Sequence, residues 1–209
     1  MRPPPLLGPP VLGESEVGRA KRELRLQLQA RRRSNPESAD DQRRRTDAAA
    51  QLSTGHQVLA CYASLGDEPD TWGLLDVLHS WGVTVLLPLL RPYPDGSSRR
   101  HPDWAVFEGR TSLIPGFRGI LEPDGPSLGA AALGSASLIW CSGLAATTRG
   151  DRLGTGGGWY DRALAHASAD ATCGILLRDD EVLPELPTEP WDRRVDLIVT
   201  PSRVIQTEE

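Results

Sequence analysis

The alternation of apolar runs with a helical pattern is the feature that most restricts how this chain can fold. The apolar run QVLACYA (57–63) is followed by EPDTWGLLDVLHSWG (68–82), whose apolar residues recur at helical spacing, and then by a second apolar run, VTVLLPLL (83–90). Short apolar runs of this kind are typical of buried strands. A strand, a helix and a strand at this spacing predict a parallel pair joined by a right-handed crossover. The chain is therefore expected to be an α/β protein.

Two helices are predicted before the first strand. The segment VGRAKRELRLQLQARRRS places leucines among strong helix formers, which predicts a helix over 16–33. A second helix is expected over 36–52, capped by Ser34 or Asn35 with Pro36 at its first position.

The second half of the chain continues the alternation. Three more apolar strands are predicted within 136–143, 171–177 and 195–201, the last of which is expected to end the sheet. A helix is expected over 160–168. The segment 91–130 is rich in Gly, Pro and Asp, which predicts short strands around DWAVFEG and a loop at GFRGILEPDGPSLG. These elements together predict a single three-layer domain with a mainly parallel central sheet.

Length and composition set the limits of the domain. The 209 residues, 39% of them hydrophobic, suffice for a core that needs no disulfide or metal. We expect one domain over 16–205, preceded by a disordered proline-rich lead-in over 1–15. No apolar run approaches the roughly 20 residues that span a bilayer, and prolines interrupt the N-terminal segment before a signal-peptide core can form.

Charge and cysteine content indicate the partners and the compartment. The net charge of -5 argues against general affinity for nucleic acid, so an anionic ligand requires a local basic site. Cys61, Cys141 and Cys173 have no metal-ligand spacing and lie in apolar or small-residue surroundings. We therefore expect buried thiols in a reducing cytoplasm, with neither a nucleic-acid nor a membrane partner.

The segment RLGTGGGWYDRAL (152–164) carries the strongest functional signal. Its four glycines follow a predicted strand and precede a predicted helix, where successive backbone N–H groups can surround a phosphate. Glycine permits close approach of the backbone to phosphate oxygens and also a positive φ, which we expect at Gly157. A flexible surface loop is the alternative explanation, and the glycines alone do not decide between the two.

The residues beside the glycines favour a ligand site. Arg152 offers a fork for phosphate or carboxylate, Asp161 can hold a divalent cation, and Arg162 adds a second positive charge. The pattern is neither GxxxxGKS/T nor a dinucleotide GxGxxG that opens the first strand–helix unit. These flanks favour a nucleotide or phosphate site over a structural loop.

The same segment closely resembles RLGxGxGYYDRxL, the signature of the 5-formyltetrahydrofolate cyclo-ligase family, also called 5,10-methenyltetrahydrofolate synthetases. Three more segments resemble family elements in the same order: KRELR (21–25), YASLGDEPDT (62–71) and EPWDRRVDLIVTP (189–201). The resemblance covers residues 17–203, and four ordered motifs are far more specific than one. It implies a fold of the cyclo-ligase or CoA-transferase-like type.

The resemblance also implies an activity. Family members convert 5-formyltetrahydrofolate to 5,10-methenyltetrahydrofolate with ATP as co-substrate and Mg2+ as cofactor, releasing ADP and phosphate. The formyl oxygen attacks the γ-phosphorus, and N10 then closes the ring. ATP and the folate are the implied small-molecule partners of a monomer. Two alternatives stay open: a non-catalytic folate- or nucleotide-binding paralogue of the same fold, and a sugar-phosphate enzyme on the same kind of sheet.

The resemblance assigns roles to residues of this chain. The implied ATP-binding residues are Lys21, Arg22, Arg25, Arg152, Leu153, Gly154, Thr155, Gly156, Gly157, Gly158, Trp159 and Tyr160, of which Arg152, Gly156, Gly157, Gly158 and Tyr160 form the catalytic group. The implied folate-binding residues are Arg25, Ala63, Glu68, Trp104, Thr155, Gly156, Gly157, Gly158 and Trp159, with GILEP (119–123) nearby. The implied Mg2+ ligands are Asp161 and Asp192.

Several of these residues have simpler explanations when the chain is considered alone. Lys21 and Arg25 lie on one helical face and can reach one polyanion, but such pairs more often form a solvated face. Glu68 follows a strand, where α/β sheets bind ligands, yet it can equally be an acid at a helix start beside a proline. Trp159 and Tyr160 either close on a ligand or anchor the loop, and for Tyr160 anchoring is favoured.

The chain departs from the family pattern VPxLAFDxxGxRLG before the glycines. It has Ser142, Ala146 and Thr147 where the family commonly has Pro, Phe and Asp. The departures predict a smaller, less acidic wall. We expect Thr147 to shape the site rather than bind metal, so that Thr147→Asp changes the sensitivity to Mg2+ little.

Overall fold

The helices and strands were located in a computed structural model, which describes residues 15–93 and 95–208. The helices are α1 (Glu16–Ser34), α2 (Ala39–Leu52), α3 (Trp72–Ser80) and α4 (Trp159–Ala163). The strands are β1 (Val58–Ala60), β2 (Thr84–Pro88), β3 (Trp104–Val106), β4 (Leu113–Pro115), β5 (Leu121–Pro123), β6 (Leu138–Cys141), β7 (Ala145–Ala146), β8 (Arg152–Leu153), β9 (Thr172–Leu176), β10 (Leu197–Val199) and β11 (Val204–Gln206). Residues 1–14 of the expected lead-in lie outside the described part.

A seven-stranded sheet in the order β11-β10-β9-β6-β1-β2-β3 forms the centre of the domain. Its five inner strands are parallel, and the two edge strands, β3 and β11, run antiparallel to their neighbours. Strands β1 and β2 pair in parallel with α3 between them in the chain, as the first apolar runs predicted. The expected α/β fold with a mainly parallel sheet is confirmed.

Alternate residues of the inner strands pack into separate cores on the two faces of the sheet. Leu59 of β1 and Cys61, which directly follows this strand, pack on the face covered by α2 and α3, whereas Ala60 packs on the face covered by α4. Helix α3 contributes three fully buried leucines, Leu74, Leu75 and Leu78. Burial of a leucine side chain stabilises a fold by roughly 1.5–3 kcal/mol, so this face alone holds α3 on the sheet. The three-layer arrangement follows from this two-sided burial.

Helix α1 is attached to the β7–β8 hairpin and to the segment after β9. Leu28 packs on Leu144 and Leu153, and the buried guanidinium of Arg32 donates to Glu181 at 2.6 Å and to the Gly143 carbonyl at 2.9 Å. An arginine fork bound by a carboxylate and a carbonyl fixes the orientation of a helix well.

No helix of the described residues is long and apolar enough to cross a membrane.

The structure corrects the predicted start of α2. Ser38 caps this helix, because its hydroxyl accepts the Asp41 N–H at 3.1 Å, so the prediction of Ser34 or Asn35 as the cap is wrong. Two aspartates in the first turn strengthen the start after Ser38, since acidic side chains are favourable at a helix N-terminus.

Three further boundaries differ from the sequence predictions. The sheet does not end with 195–201, because a turn at Thr200–Arg203 returns the chain as β11. The segment expected to be a loop at 116–129 contains β5, which pairs with β4. The helix expected over 160–168 is interrupted, since α4 ends at Ala163 and a 3-10 turn, Leu164–His166, follows. Strands of three residues carry too little periodicity to be recognised from sequence.

Candidate functional site

A cavity of about 440 Å³ opens at the carboxyl ends of the central parallel strands. Tyr62 and Ala63 follow β1, Pro88 ends β2, and Ser142 follows β6, and all four line it. Parallel α/β sheets bind ligands at this edge, since the loops that follow adjacent strands converge there. The fold therefore brings the predicted segments 62–71, 152–164 and 189–201 around one cavity.

The glycine-rich loop crosses this cavity between β8 and α4. Gly156 has φ +108° and Gly158 has φ +59°, both in the left-handed region that favours glycine. Gly157 has no positive φ, so the expectation of one there is wrong, and a Cβ on Gly157 meets nothing within 4 Å. Helix α4 has only five residues and thus a weak dipole, so the loop N–H groups, rather than the helix dipole, are the groups here that suit an anion.

These glycine conformations give a matched pair of variants. We expect Gly157→Val to leave the melting temperature nearly unchanged, because the position is open and its backbone is ordinary, but to block a ligand from the loop. Gly156→Val is expected to cost roughly 1–3 kcal/mol of stability, because it forces a β-branched residue into the left-handed region. Thermal unfolding and ATP titration of both variants measure the difference. Full ATP affinity in Gly157→Val would place the ligand elsewhere.

Two ion pairs stand at the charged part of the cavity. The Lys21 ammonium of α1 donates to the Asp192 carboxylate, and Arg152 Nη2 donates to Asp161 Oδ1 at 2.6 Å. The side chain of Arg152 is 3% exposed and that of Asp161 30% exposed. All four residues line the cavity.

Arg25 lies between these pairs. Its Nε donates to the Gly154 carbonyl at 2.9 Å, which ties α1 to the glycine-rich loop. Burial lowers the pKa of the Arg25 guanidinium, and the carboxylates of Asp192 and Asp161 oppose this shift. Three cations and two carboxylates thus share one small region, although Lys21 and Arg25 alone resembled a solvated face.

Buried polar atoms without a protein partner occur at the same place. Arg152 Nε and the Tyr160 hydroxyl are both buried and make no hydrogen bond within the described residues. Leaving such a group unpaired costs about 1–3 kcal/mol, unless a ligand or an ordered water pairs with it. Tyr160 otherwise packs in the core beneath the loop, in agreement with an anchoring role.

The aromatic residues of the site form a stack from the core to the cavity. Trp104 is fully buried, and its ring lies edge-on to that of Trp159 with centroids 4.9 Å apart. Trp159 lines the cavity and makes a second edge contact with Tyr160 at 5.0 Å. Trp104 itself does not line the cavity, nor does Arg22. Trp104 supports the glycine-rich loop from behind.

Glu68 lies on the other side of the loop beside an apolar wall. Its carboxylate accepts the Leu65 N–H at 2.9 Å, and α3 begins only at Trp72, so the alternative of a helix-start acid is wrong. Burial raises the pKa of the Glu68 carboxyl, and the Leu65 hydrogen bond and the Arg32 charge oppose the shift. The apolar residues nearby are Pro88, Leu90, Ile120 and Leu121.

This raised pKa predicts a pH dependence of stability. A carboxyl whose folded pKa exceeds its unfolded value binds more protons when folded, so its burial costs stability as pH rises through the two pKa values. We expect Glu68→Gln to gain stability relative to the wild type from pH 4 upward until the raised pKa is passed. Urea unfolding of both proteins across this range measures the gap. A gap independent of pH would show that Glu68 keeps its ordinary pKa.

Thr147 lies outside the cavity, in the turn between β7 and β8. Its hydroxyl donates to Asp151 Oδ2 at 2.9 Å, and the backbone N–H of Thr147 donates to the Asp151 carbonyl at 2.9 Å. The carboxylate absent at 147 is thus present four residues later, across the same turn. The expected smaller, less acidic wall is wrong for Ala146 and Thr147, since only Ser142 of the three departures lines the cavity.

Sequence reasoning missed several cavity residues. They are Gly18, Tyr62, Pro88, Leu90, Glu189 and Trp191. Glu189 and Trp191 lie within EPWDRRVDLIVTP, whose position beside Asp192 was the available signal. The apolar residues carry no chemical signal, because core packing explains them equally well.

The implied metal ligands were compared with the geometry of the site. Asp161 and Asp192 both line the cavity, and each holds a basic partner. Across residues 15–93 and 95–208 no group of three or more His, Cys, Asp or Glu is arranged to hold a metal ion. A cation at this place would therefore need further oxygen ligands from the substrates or from water.

Fold and cavity together define an α/β protein with a cavity at the carboxyl ends of its parallel strands, lined by a glycine-rich loop. Comparison with known proteins identifies the family. The model of the 5-formyltetrahydrofolate cyclo-ligase family matches residues 17–201. The 5-formyltetrahydrofolate cyclo-ligase of Mycolicibacterium smegmatis is 37% identical over 194 residues, which are 90% of this chain and 96% of that protein. The Escherichia coli K12 enzyme of the same name is 29% identical over 147 residues, 70% of this chain and 79% of the relative.

Solved structures share the fold. The Aquifex aeolicus 5,10-methenyltetrahydrofolate synthetase has a TM-score of 0.72 at 23% identity, covering 90% of this chain and 93% of that one. The Mycoplasma pneumoniae synthetase has a TM-score of 0.64 at 16% identity, covering 87% and 98%. This chain belongs to the 5-formyltetrahydrofolate cyclo-ligase family, which confirms the resemblance found in its motifs and the prediction of an enzyme of this family.

Proposed function

We propose that this enzyme converts 5-formyltetrahydrofolate to 5,10-methenyltetrahydrofolate, with ATP and Mg2+, and releases ADP and phosphate. The observation that carries the proposal is the division of the cavity. Cations surround the glycine-rich loop on the side of α1, and an apolar wall with one carboxyl lies on the side of β1 and β2. One cavity thus offers a place for a polyphosphate and a place for a flat heterocycle, with the loop between them.

The charged side suits the phosphates of ATP. Lys21, Arg25 and Arg152 supply the local basic site that a chain of net charge -5 needs for an anionic ligand. The Arg152 Nε–H has no acceptor among the residues that the structure describes, and a phosphate oxygen is the kind of acceptor that an arginine fork binds best. Gly157 presents open space beside the loop, so phosphate oxygens can approach its backbone.

The apolar side suits the pterin ring of the folate. Leu90, Ile120 and Leu121 offer contact to its faces, and the partly buried Glu68 carboxylate can accept hydrogen bonds from ring N–H groups. Such hydrogen bonds discriminate strongly, because a ligand without the donor leaves Glu68 unpaired in a region of low dielectric. Ala63 leaves room beside the ring.

The carboxylates of the cavity fit Mg2+ that arrives with ATP. Mg2+ in nucleotide sites usually takes one or two protein carboxylates, with phosphate and water as the remaining ligands. Asp161 and Asp192 are two such groups, and their ion pairs with Arg152 and Lys21 keep both side chains at the cavity. When bound, Mg2+ would neutralise charge that develops on the phosphates.

The proposed reaction depends mainly on how the enzyme positions its two substrates relative to each other. In the proposed reaction the formyl oxygen forms a bond to the γ-phosphorus while the bond between that phosphorus and ADP breaks. N10 then attacks the formyl carbon, loses its proton, and phosphate leaves with the former formyl oxygen. The chain would hold the two reactants in line across the loop and stabilise charge with Arg152 and the loop N–H groups.

The alternative is a paralogue that binds these ligands without turnover. The presence of all the implied charged residues except Arg22 around one cavity favours the enzyme. The test is the absorbance of methenyltetrahydrofolate formed from 5-formyltetrahydrofolate, with ATP and Mg2+ omitted in turn. We expect product only when both are present. If calorimetry shows that ATP binds but no condition gives product, the protein is a paralogue that binds its ligands without catalysing the reaction.

The proposal also includes a cytoplasmic location and a monomeric state. Cys61, Cys141 and Cys173 are all free and buried, as expected of thiols in a reducing cytoplasm. Burial raises the pKa of Cys61 to about 12, which keeps this thiol protonated and unreactive. The cytoplasmic location and the monomeric state stay predictions.

A further inference from the structure

Trp191 is an exposed aromatic side chain at the edge of the cavity. It is 68% exposed, the highest value among the large apolar side chains of the described residues, yet it lines the same cavity as the glycine-rich loop. A large ring left in water beside a ligand cavity offers an apolar face that a ligand can cover. Trp191 belongs to none of the core clusters formed by residues 15–93 and 95–208.

The backbone beneath Trp191 is held firmly. The Glu189 N–H donates to Asp192 Oδ2 at 2.7 Å, and the Asp192 N–H donates to the Glu189 carbonyl at 3.0 Å. The turn is joined to the start of α1 by two more contacts, from Ser15 Oγ to Glu189 Oε1 at 2.8 Å and from Lys21 to the Asp192 carboxylate. A ring on a rigid turn loses little entropy when a ligand stacks on it.

The order of the strands decides which ligand Trp191 faces. The turn at 189–192 lies between β9 and β10, on one side of β6, whereas Glu68 and Leu90 follow β1 and β2 on the other side. The hydrogen-bonded turn that carries Trp191 contains Glu189 and Asp192 and is joined to Lys21 of α1, whereas the hydrogen bond given for the Glu68 carboxylate goes to Leu65. A ring that reaches Trp191 therefore belongs to the ligand that carries the phosphates.

We propose that Trp191 stacks on the purine base of a nucleoside triphosphate whose phosphates lie at the glycine-rich loop. The inference rests on the proposed function, and it adds the residue that recognises the base. Stacking on tryptophan tolerates any flat base, so Trp191 supplies affinity for a nucleotide over an inorganic polyphosphate.

The test compares ATP with inorganic triphosphate, which has the charge of the phosphates but no base. Calorimetric dissociation constants are measured for the wild type, Trp191→Ala, Trp191→Phe and the control Trp81→Ala. Trp81 is 51% exposed at the end of α3 and does not line the cavity. We expect Trp191→Ala to weaken ATP binding about 5- to 100-fold and to leave triphosphate binding unchanged. Trp191→Phe should retain most of the ATP affinity, and Trp81→Ala should match the wild type.

Three other outcomes overturn the inference. Equal weakening of ATP and triphosphate in Trp191→Ala would show that the residue acts on the phosphates through its turn. Unchanged ATP affinity with weaker binding of 5-formyltetrahydrofolate would place the pterin at Trp191. A wild type that binds neither ATP nor triphosphate would refute the proposed function as well, whereas the first two outcomes leave that function standing.

Discussion

Replacing Arg152 by methionine is expected to lower kcat/KM by roughly 100- to 1000-fold, the order of loss when one hydrogen-bond donor to a transition state is removed. Three features of the site point to Arg152 as a residue that acts on the substrates. Its side chain is 3% exposed, it lines the cavity, and its Nε has no hydrogen-bond partner in the described part of the chain. Its charge therefore acts in a region of low dielectric, where electrostatic stabilisation is strong. Steady-state kinetics with ATP and 5-formyltetrahydrofolate measure the loss.

The variant is expected to stay folded, because Asp161, the partner of Arg152, is 30% exposed and can be hydrated after the substitution. Arg152→Lys is the matched control, since it keeps the charge and loses the planar fork. We expect its kcat/KM to lie between those of the wild type and Arg152→Met. Thermal unfolding of both variants separates catalysis from stability. Wild-type kinetics in the folded methionine variant would remove Arg152 from the proposed reaction.

Thr147→Asp is expected to lower the free energy of unfolding by about 3 kcal/mol, the order of the cost of an uncompensated buried charge. Thr147 is fully buried and lies 2.9 Å from the Asp151 carboxylate, so the new side chain would face a like charge. Arg149 and Arg194, at 3.7 Å and 3.3 Å from Asp151, are more than half exposed and screen the pair only in part. The melting temperature should fall by about 6–12 °C.

A charge exchange tests this explanation. In the double variant Thr147→Asp with Asp151→Thr, the turn again holds one hydroxyl and one carboxylate, and we expect most of the lost stability to return. The single variant should also recover stability as pH falls, because protonation removes the repulsion of the two carboxyls. A double variant as unstable as the single one would show that the position of the charge, not the number of charges, matters.

The strand–helix–strand unit at 57–90 was predictable because its apolar runs are long and bounded by clear turn signals. The glycine-rich loop was equally predictable in place, since its position between a strand and a helix follows from the chain order. Its detailed conformation was not: Gly156 and Gly158 adopt the left-handed region and Gly157 does not. Three adjacent glycines, Gly156–Gly158, give no sequence signal for which φ each one takes.

The other features that the sequence did not predict depend on contacts between segments that are distant in the chain. Trp104 was expected at the folate and instead supports Trp159, because nothing in a strand of three residues tells which face meets the cavity. The Thr147–Asp151 pair was hidden because a single sequence does not show that a carboxylate on either side of a turn fills the same space. Trp191 escaped notice because its exposure is a property of the folded turn. Each miss concerns tertiary packing rather than local propensity.

The most direct test of the proposed reaction follows the formyl oxygen itself. The enzyme is given 5-formyltetrahydrofolate labelled with oxygen-18 at the formyl group, with ATP and Mg2+ in ordinary water, and the released phosphate is analysed by mass spectrometry. If the cavity holds the formyl group against the γ-phosphate, every molecule of methenyltetrahydrofolate formed leaves its labelled oxygen in one molecule of phosphate. Unlabelled phosphate, with the label intact in recovered substrate, would mean that water attacks ATP and would contradict the proposal.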